Sequence, residues 1–417
     1  MVNVDHALEW GFGWDIGPFK TWDAIGVEKS VEMMKAEGLE VPAWVTDMLA
    51  AGRTSFYARD EAGDLTCWQR DGGVAKVPVS ENHVFISNLK AKNQRLDHNP
   101  SASLYDMGDG VLLLEFHSKM NALDELINDL YNKALDKLDA NEFEALVVGN
   151  DDGRAFSAGA NILGVLMAAS QKQFDQIEIA VKALQDLLMR AKYSSKPVVT
   201  APHGLVLGGG AELTMHSAAT VAHGELYMGQ VEAGVGLIPA GGGCKELLMR
   251  YLGDAPQGVN YDPNPAVQAV FQMIGLAKVS MSAEEARDLG FLRNSDQVVL
   301  DRSALLKRAK SVALGLVKAG YIPPRPRTCK LPGPAGGAAI QLFLDSMHDG
   351  KYATDHDIVV GSHLVGVLTG GDIPSGTVRT EQQLLDLERE AFVSLCGEPA
   401  TQARMQHMLQ TGKPLRN

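Results

Sequence analysis

Between about residues 101 and 300 the chain alternates short apolar runs with amphipathic stretches, and this alternation limits the fold more than any other feature of the sequence. "SLYDMGDGVLLLEF" sets two apolar runs around a Gly-Asp-Gly turn, the pattern of a hairpin. "ALVVGN" from Ala145 and "PVVTAP" from Pro197 are short and continuous, as buried strands are. Between them Leu123, Ile127, Leu130, Ala134 and Leu138 recur at helical spacing, and Ile177, Ile179, Ala180, Ala183, Leu184 and Leu187 continue the theme. Strands that alternate with helices predict an α/β region. Further helices are expected near 27–37 and 303–318, and weaker helical runs follow the Pro-rich "IPPRPRTCKLPGPAGG". In "EQQLLDLEREAFVSL" the expected inward face is Leu384, Leu387, Ala391 and Leu395.

These patterns divide the chain into an aromatic, acidic segment at 1–80, a polar linker at 81–100, the α/β region at 101–300 and a helical extension at 301–417. Asn99-Pro100 blocks helix continuation inside the linker. With 417 residues and 45% hydrophobic content, the chain is long enough for a large core. A net charge of −13 argues against a sequence-independent hold on nucleic acid or anionic lipid. No apolar run reaches the roughly 18 to 20 residues of a membrane span. Asp5 and Glu9 stand where a secretory signal would carry cations, so a cytoplasmic setting is expected, or an organelle matrix if a transit peptide precedes Met1. Cys67, Cys244, Cys329 and Cys396 lie far apart without paired metal-ligand spacing, which predicts reduced thiols and no metal.

Three passages put glycine and small residues, and two of them a carboxylate as well, where packing alone would not need them. "RAFSAGANIL" leads from a strand to a helix that begins near Asn161, and its small residues let backbone N–H groups point at a ligand oxygen; an ordinary strand-to-helix turn would read the same way. "GLVLGGGAELTMH" has three successive glycines between strand and helix, with Glu212 in the first helical turn. That glutamate serves either as a functional acid or as a complement to the helix dipole. "ELYMGQVEAGVGLIPAGGG" sets Glu232 among apolar and small residues. Alone it reads equally as a solvated loop acid. Two carboxylates in one apolar pocket acquire divergent proton affinities, so that one acts as base and the other as acid.

Taken together, the three passages resemble the crotonase, or enoyl-CoA hydratase/isomerase, superfamily over roughly residues 101–300. The resemblance implies a core of repeated ββα turns. It implies an oxyanion hole formed by the N–H groups of Ala160 and Gly209 for a thioester carbonyl, with Gly159 and Gly208 beside it among the residues that bind the coenzyme A substrate. "MNALDE" from Met120 is similar to the segment through which substrate enters in that family, with Ala122 and Ala158 lining the coenzyme A site and Lys119 a candidate phosphate contact or a solvated lysine. "MSAEEARDLGFL" resembles the closing helix. Glu212 and Glu232 match the two glutamates of true hydratases, which implies water addition to 2-enoyl-CoA thioesters in fatty-acid β-oxidation, with Glu212 as base and Glu232 as acid. The alternatives are a Δ3,Δ2-enoyl-CoA isomerase and a silent acyl-CoA-binding or scaffolding module. Asn161 departs from the aspartate that many relatives carry. His203 and His216 flank the glycine triplet without a serine or cysteine motif, and a polar packing role is expected.

In the opening "WGFGWDIGPF" the glycines are spaced G-x-G-x-x-x-G, and no strand leads into them, which argues against a dinucleotide loop. The stretch resembles the end of the C-terminal helical domain of 3-hydroxyacyl-CoA dehydrogenases. The resemblance implies a helical remnant of that domain at 1–80, with the NAD-binding fold before Met1. Hydration itself then needs no cofactor, since the substrate carries coenzyme A. A thiolase or dehydrogenase partner and a homo-oligomer are compatible with this reading.

Overall fold

A computed structural model describes residues 1–253 and 261–417, so part of the expected 101–300 region lies outside the described residues. The chain divides into two compact units, Met1–Gln94 and Arg95–Asn417.

In the first unit the helices Val2–Phe12, Pro18–Ile25, Val27–Ala36 and Ala43–Ala50 precede an antiparallel sheet of Tyr57–Arg59, Leu65–Trp68 and Val74–Lys76. Phe56 is fully buried, and the rings of Phe19, Trp22 and Trp44 surround it. Of the opening glycines, Gly13, at φ 67°, ends the first helix and Gly17 starts the second, while a Cβ on Gly11 would meet nothing within 4 Å. A Cβ on Gly17 would lie 2.3 Å from the Asp5 Cα, so the helices approach where only hydrogen fits. Buried Asp5 accepts from Phe19 N–H (2.8 Å) and from the Tyr57 hydroxyl (2.6 Å), while Glu9 accepts from Gly17 N–H (2.7 Å).

Two expectations need correction here. The N-terminal segment is not helical throughout, because the turn-rich text around Gly63 and Gly72 lies within the small sheet; its strands of three or four residues are too short to show alternation. The 81–100 segment is not a bare linker. It holds the helix Ile86–Ala91 and the strand Arg95–His98, and the boundary between units falls within it. Arg95–His98 is an edge strand with mostly exposed side chains, which gives it a polar, linker-like sequence.

The second unit has a seven-stranded sheet in the order Gln297–Val299, Ala219–His223, Val198–Thr200, Ala145–Val148, Val111–Phe116, Ala102–Asp106, Arg95–His98. The first five strands run parallel, and the last two pairings are antiparallel. The 102–106 and 111–116 pair is the expected hairpin. A second, parallel sheet takes Leu226–Gly229, Gly204–Leu207 and Ala155–Ser157. Three successive strand pairs, starting at Ala145, Val198 and Ala219, each give their first strand to the large sheet and their second to the small one. Each pair then leads toward a helix, including Phe174–Lys192, Gly209–Met215 and Gly243–Leu252. This is the expected ββα superhelix. Val111–Phe116 and Ala145–Val148 are buried at every position, which explains their unbroken apolar sequence.

The 301–417 extension is mainly helical, and its first helix, Leu305–Lys318, packs on the strands of the large sheet. It also contains an antiparallel ladder of Thr328–Leu331 with Thr377–Thr380, inside text that reads as a Pro-rich break. The four cysteines are unpaired and buried. No described helix is long and apolar enough to cross a membrane.

All five tryptophans lie at or before Trp68, so tryptophan fluorescence reads the first unit selectively. Gly17→Ala should lower the stability of this unit by about 1–3 kcal/mol, the usual cost of overpacking, seen as an earlier fluorescence transition in urea. An unchanged midpoint would contradict the packing role.

Candidate active site

The small parallel sheet brings the three glycine-bearing passages, and the two acids they carry, to one place. Its strands Ala155–Ser157, Gly204–Leu207 and Leu226–Gly229 run side by side, and each passage follows the C-terminal end of one strand. After the first come Gly159 and Ala160, after the second Gly208, Gly209 and Glu212, and after the third Glu232. Residues far apart in sequence therefore converge for a topological reason.

The Ala160 and Gly209 backbones lie together. Leu123 N–H donates to the Gly159 carbonyl (2.8 Å) and Asn161 N–H donates to the Leu123 carbonyl (3.0 Å). In this parallel pattern the Ala160 N–H between them points away from Leu123. The Cβ position of Gly209 lies 3.4 Å from the Ala160 nitrogen. Gly209 opens the helix Gly209–Met215, so its N–H has no intrahelical acceptor. Gly208 itself adopts φ 52°, ψ −120°, and its Cβ position lies 3.0 Å from Glu232 Oε1. A side chain there would be strained and would displace the acid.

The segment leading to Ala122 runs along the first passage. Ala158 N–H donates to the Met120 carbonyl (3.1 Å), Ser157 Oγ donates to the Asn121 carbonyl (2.8 Å), and the Asn121 amide donates to the Ala155 carbonyl (2.8 Å). Ala122 and Ala158, both half-buried, are thus on adjoining stretches, while Lys119 is exposed. Asn161 caps the helix Ile162–Ser170 through its side-chain oxygen.

Glu212 is buried, and its Oε1 accepts from both Gly241 N–H and Gly243 N–H at 2.8 Å. Burial pushes its carboxyl up to about 7, against the pull of these two donors and of Lys245. Glu232 begins the short turn of helix Glu232–Val235. Burial pushes its carboxyl well above the usual range, and the Glu212 charge adds to that. The two acids are therefore unequal: Glu212 is eased toward ionisation by the Gly241 and Gly243 N–H groups and by Lys245, while at Glu232 burial and the Glu212 charge outweigh the Glu232 and Val231 N–H groups, so Glu232 holds its proton more firmly. The buried Gln230 amide faces both Glu232 oxygens at 3.0 and 3.1 Å and suits either state. Its nitrogen donates to the carboxylate, or its oxygen accepts from the acid.

His203 and His216 are buried structural groups. His203 Nε2 meets the Asp152 carbonyl at 2.7 Å. His216 Nδ1 meets the Glu212 carbonyl at 2.7 Å, and its Nε2 lies 2.9 Å from Lys245 Nζ. Burial and the Lys245 charge push His216 down to about 3, so the neutral ring accepts from the lysine and donates to the carbonyl.

Sequence reasoning missed Gln230, Lys245 and Glu388. Glu388 is fully buried, whereas Leu387, expected to face inward, is only half-buried. The spacing Leu384, Glu388, Ala391, Leu395 also fits a helical stripe, and an acid on such a stripe was the available signal.

Residues 110–256 match the family model described as enoyl-CoA hydratase/isomerase. A probable 3-hydroxyacyl-CoA dehydrogenase of Bacillus subtilis (strain 168) is 42% identical over 99% of this chain, and the match covers 51% of that protein. A probable enoyl-CoA hydratase of the same organism is 28% identical over 49% of this chain and 71% of that protein. The crystal structure of a carnitinyl-CoA dehydratase from Mycobacterium thermoresistibile aligns over 76% of this chain and 91% of its own at 17% identity, with a TM-score of 0.51. That likeness is one of fold. The chain spans about half the length of the first of these relatives.

Between the ordinary carboxylate value of 4.5 and about 7 the folded chain keeps a proton on Glu212 that the unfolded chain has released, so stability falls as pH rises through that window. Glu212→Gln keeps an Oε1 acceptor for both glycines and has no proton to lose. Its stability relative to the parent should therefore grow by about 1–3 kcal/mol from about pH 5 to about pH 8, measured by circular dichroism in urea. An equal difference at both pH values would contradict the assignment.

Proposed function

We propose, from the premise that the chain carries an enoyl-CoA hydratase-like domain, that it adds water across the α,β double bond of 2-enoyl-CoA thioesters. The observation that carries this reading is the pair of unequal buried acids beside two adjoining backbone N–H groups.

A conjugated thioester accepts water at Cβ when the negative charge that develops on its carbonyl oxygen is stabilised. The N–H groups of Ala160 and Gly209 take that oxygen, and removing one such donor in a comparable site commonly costs about 3 kcal/mol of barrier. Water held between the two acids loses a proton to Glu212 as its oxygen bonds to Cβ. Glu232 delivers its proton to Cα. Glu212 then holds one proton more and Glu232 one fewer, and exchange with solvent restores both. Ala122 and Ala158 flank the route of the coenzyme A moiety. Hydration in this scheme needs no metal or redox cofactor.

Binding an acyl-CoA would not need a second buried acid, and moving a double bond needs no water-activating base. The acid pair therefore favours hydration over both alternatives. The product, a 3-hydroxyacyl thioester, is the kind of compound that a 3-hydroxyacyl-CoA dehydrogenase oxidises. This fits the name of the Bacillus subtilis relative, which matches nearly the whole chain, and it supports a place in fatty-acid β-oxidation. The origin of Met1–Gln94 in a dehydrogenase helical domain is part of the same proposal.

With crotonyl-CoA the chain should remove the conjugated absorbance, and Glu212→Gln and Glu232→Gln should each lower kcat by about 10²–10⁴-fold. The acid limb of kcat/KM should lie near 7, because Glu212 must be ionised to accept a proton. Full turnover by Glu232→Gln would remove its role as acid. The same chain, given NAD and 3-hydroxybutyryl-CoA, should form no NADH; oxidation by this chain alone would overturn the division of activities.

A further inference from the structure

The glycine turn that Glu212 grips is gripped a second time from the helical extension. Gly241 and Gly243 donate to Glu212, while the alternate N–H groups, Gly242 and Lys245, donate to Glu388 at 2.8 and 2.6 Å. Two carboxylates from different elements thus share the start of helix Gly243–Leu252. Glu388 sits on helix Glu381–Cys396, whose Thr380 capping box fixes its first turn. That helix carries Glu381 seven residues earlier on the same face. Glu381 accepts from Lys245 Nζ (3.1 Å) and Lys192 Nζ (2.7 Å), so Lys245 is held at its backbone by one acid and at its ammonium by the other. Buried Gln185 completes the connection, donating to the Ala240 carbonyl (2.7 Å) and the Leu385 carbonyl (2.9 Å).

We propose that Glu388 is a positioning residue for the hydration chemistry, holding the 241–245 turn in the conformation that presents Glu212. This rests on the proposed hydratase reading for its catalytic consequence. The hydrogen bonds leave little alternative for the turn, since its four donors are divided between two acids. The division also has an electrostatic side. Burial and the Glu212 charge push the Glu388 carboxyl well above the usual range, so of the two acids on these donors it is Glu212 that ionises first.

The other groups facing Glu388 are Glu232, Cys244 and Lys245; Gln185, from helix Phe174–Lys192, is uncharged. On the remaining helices packed against this one, His356 bonds to Thr401, Arg404 pairs with Asp357, and His363 feels Glu398 and Glu390. Arg389 is engaged by Gln185 and Asp386.

Glu388→Gln keeps the shape and leaves one good acceptor for two donors, which loosens the turn that also gives Glu212 its Gly241 and Gly243 N–H groups. With crotonyl-CoA it should lower kcat about tenfold or more with KM within about twofold, and move the acid limb of kcat/KM to higher pH by about half a unit or more, because Glu212 loses donors that favour its ionised form. A folded Glu388→Gln with an unshifted limb would overturn the proposal, whatever its kcat, because a merely structural loss does not move the titration. If Glu388→Gln does not fold, Glu388→Asp keeps a carboxyl but is too short to meet both donors. It should lose kcat and move the limb the same way, and full turnover would overturn the proposal. If the parent chain hydrates nothing, the hydratase reading fails separately. The titration of Glu212, followed by carboxyl carbon NMR in parent and Glu388→Gln, still decides whether Glu388 governs it: an upward shift supports the proposal, and superimposed curves overturn it.

Discussion

The structure of the candidate site depends on the burial of one carboxylate. Glu212 lies in the helix that follows the second strand of the small sheet, and its Oε1 takes two backbone N–H groups from the glycine turn 241–243. Buried acids are costly to ionise, and those donors are what makes an ionised Glu212 attainable near neutral pH. Glu232 also has backbone donors, its own N–H and that of Val231, but burial and the charges of Glu212 and Glu388 outweigh them and its carboxyl stays higher. The inequality between two like groups thus comes from the charges around them as well as from the N–H groups they accept.

That arrangement links the two ends of the second unit. The glycine turn is stabilised by Glu212 from the sheet side and by Glu388 from the helical extension. Lys192, Lys245, Glu246 and Glu381 form a buried ion cluster behind it, with Lys245 Nζ 2.5 Å from Glu246 Oε1. Burial works against the Lys245 ammonium, but the Glu246 and Glu381 charges outweigh it and hold the lysine above its ordinary range. Isolating either side would leave a buried charge without its partner, which is strongly unfavourable. The third passage is also tied to the extension: Thr401 Oγ1 donates to the Gly236 carbonyl at 2.8 Å, just after the turn that carries Glu232.

Much of this was legible in the sequence because the relevant signals are local. Buried parallel strands write continuous apolar text, as at 145–148, and the helices between them keep a clean period, as at Ile127, Leu130 and Ala134. The triplet 208–210 marked a close approach that Gly208 makes to Glu232. What was not legible depended on distant partners. Arg95–His98 is polar because it is an edge, so it resembled a linker. The strands of the first unit are too short for periodicity. Glu388 lies on a stripe that Leu387 seemed to fill, and only the fold brings it to donors 143 and 146 residues away.

Incubation of the purified chain with crotonyl-CoA in heavy-oxygen water, followed by mass spectrometry of the thioester, tests the account most directly. The account predicts a product heavier by one molecule of labelled water, with the label on the β-carbon hydroxyl, and loss of that product in Glu212→Gln. A folded chain that binds the thioester and leaves its mass unchanged would contradict it.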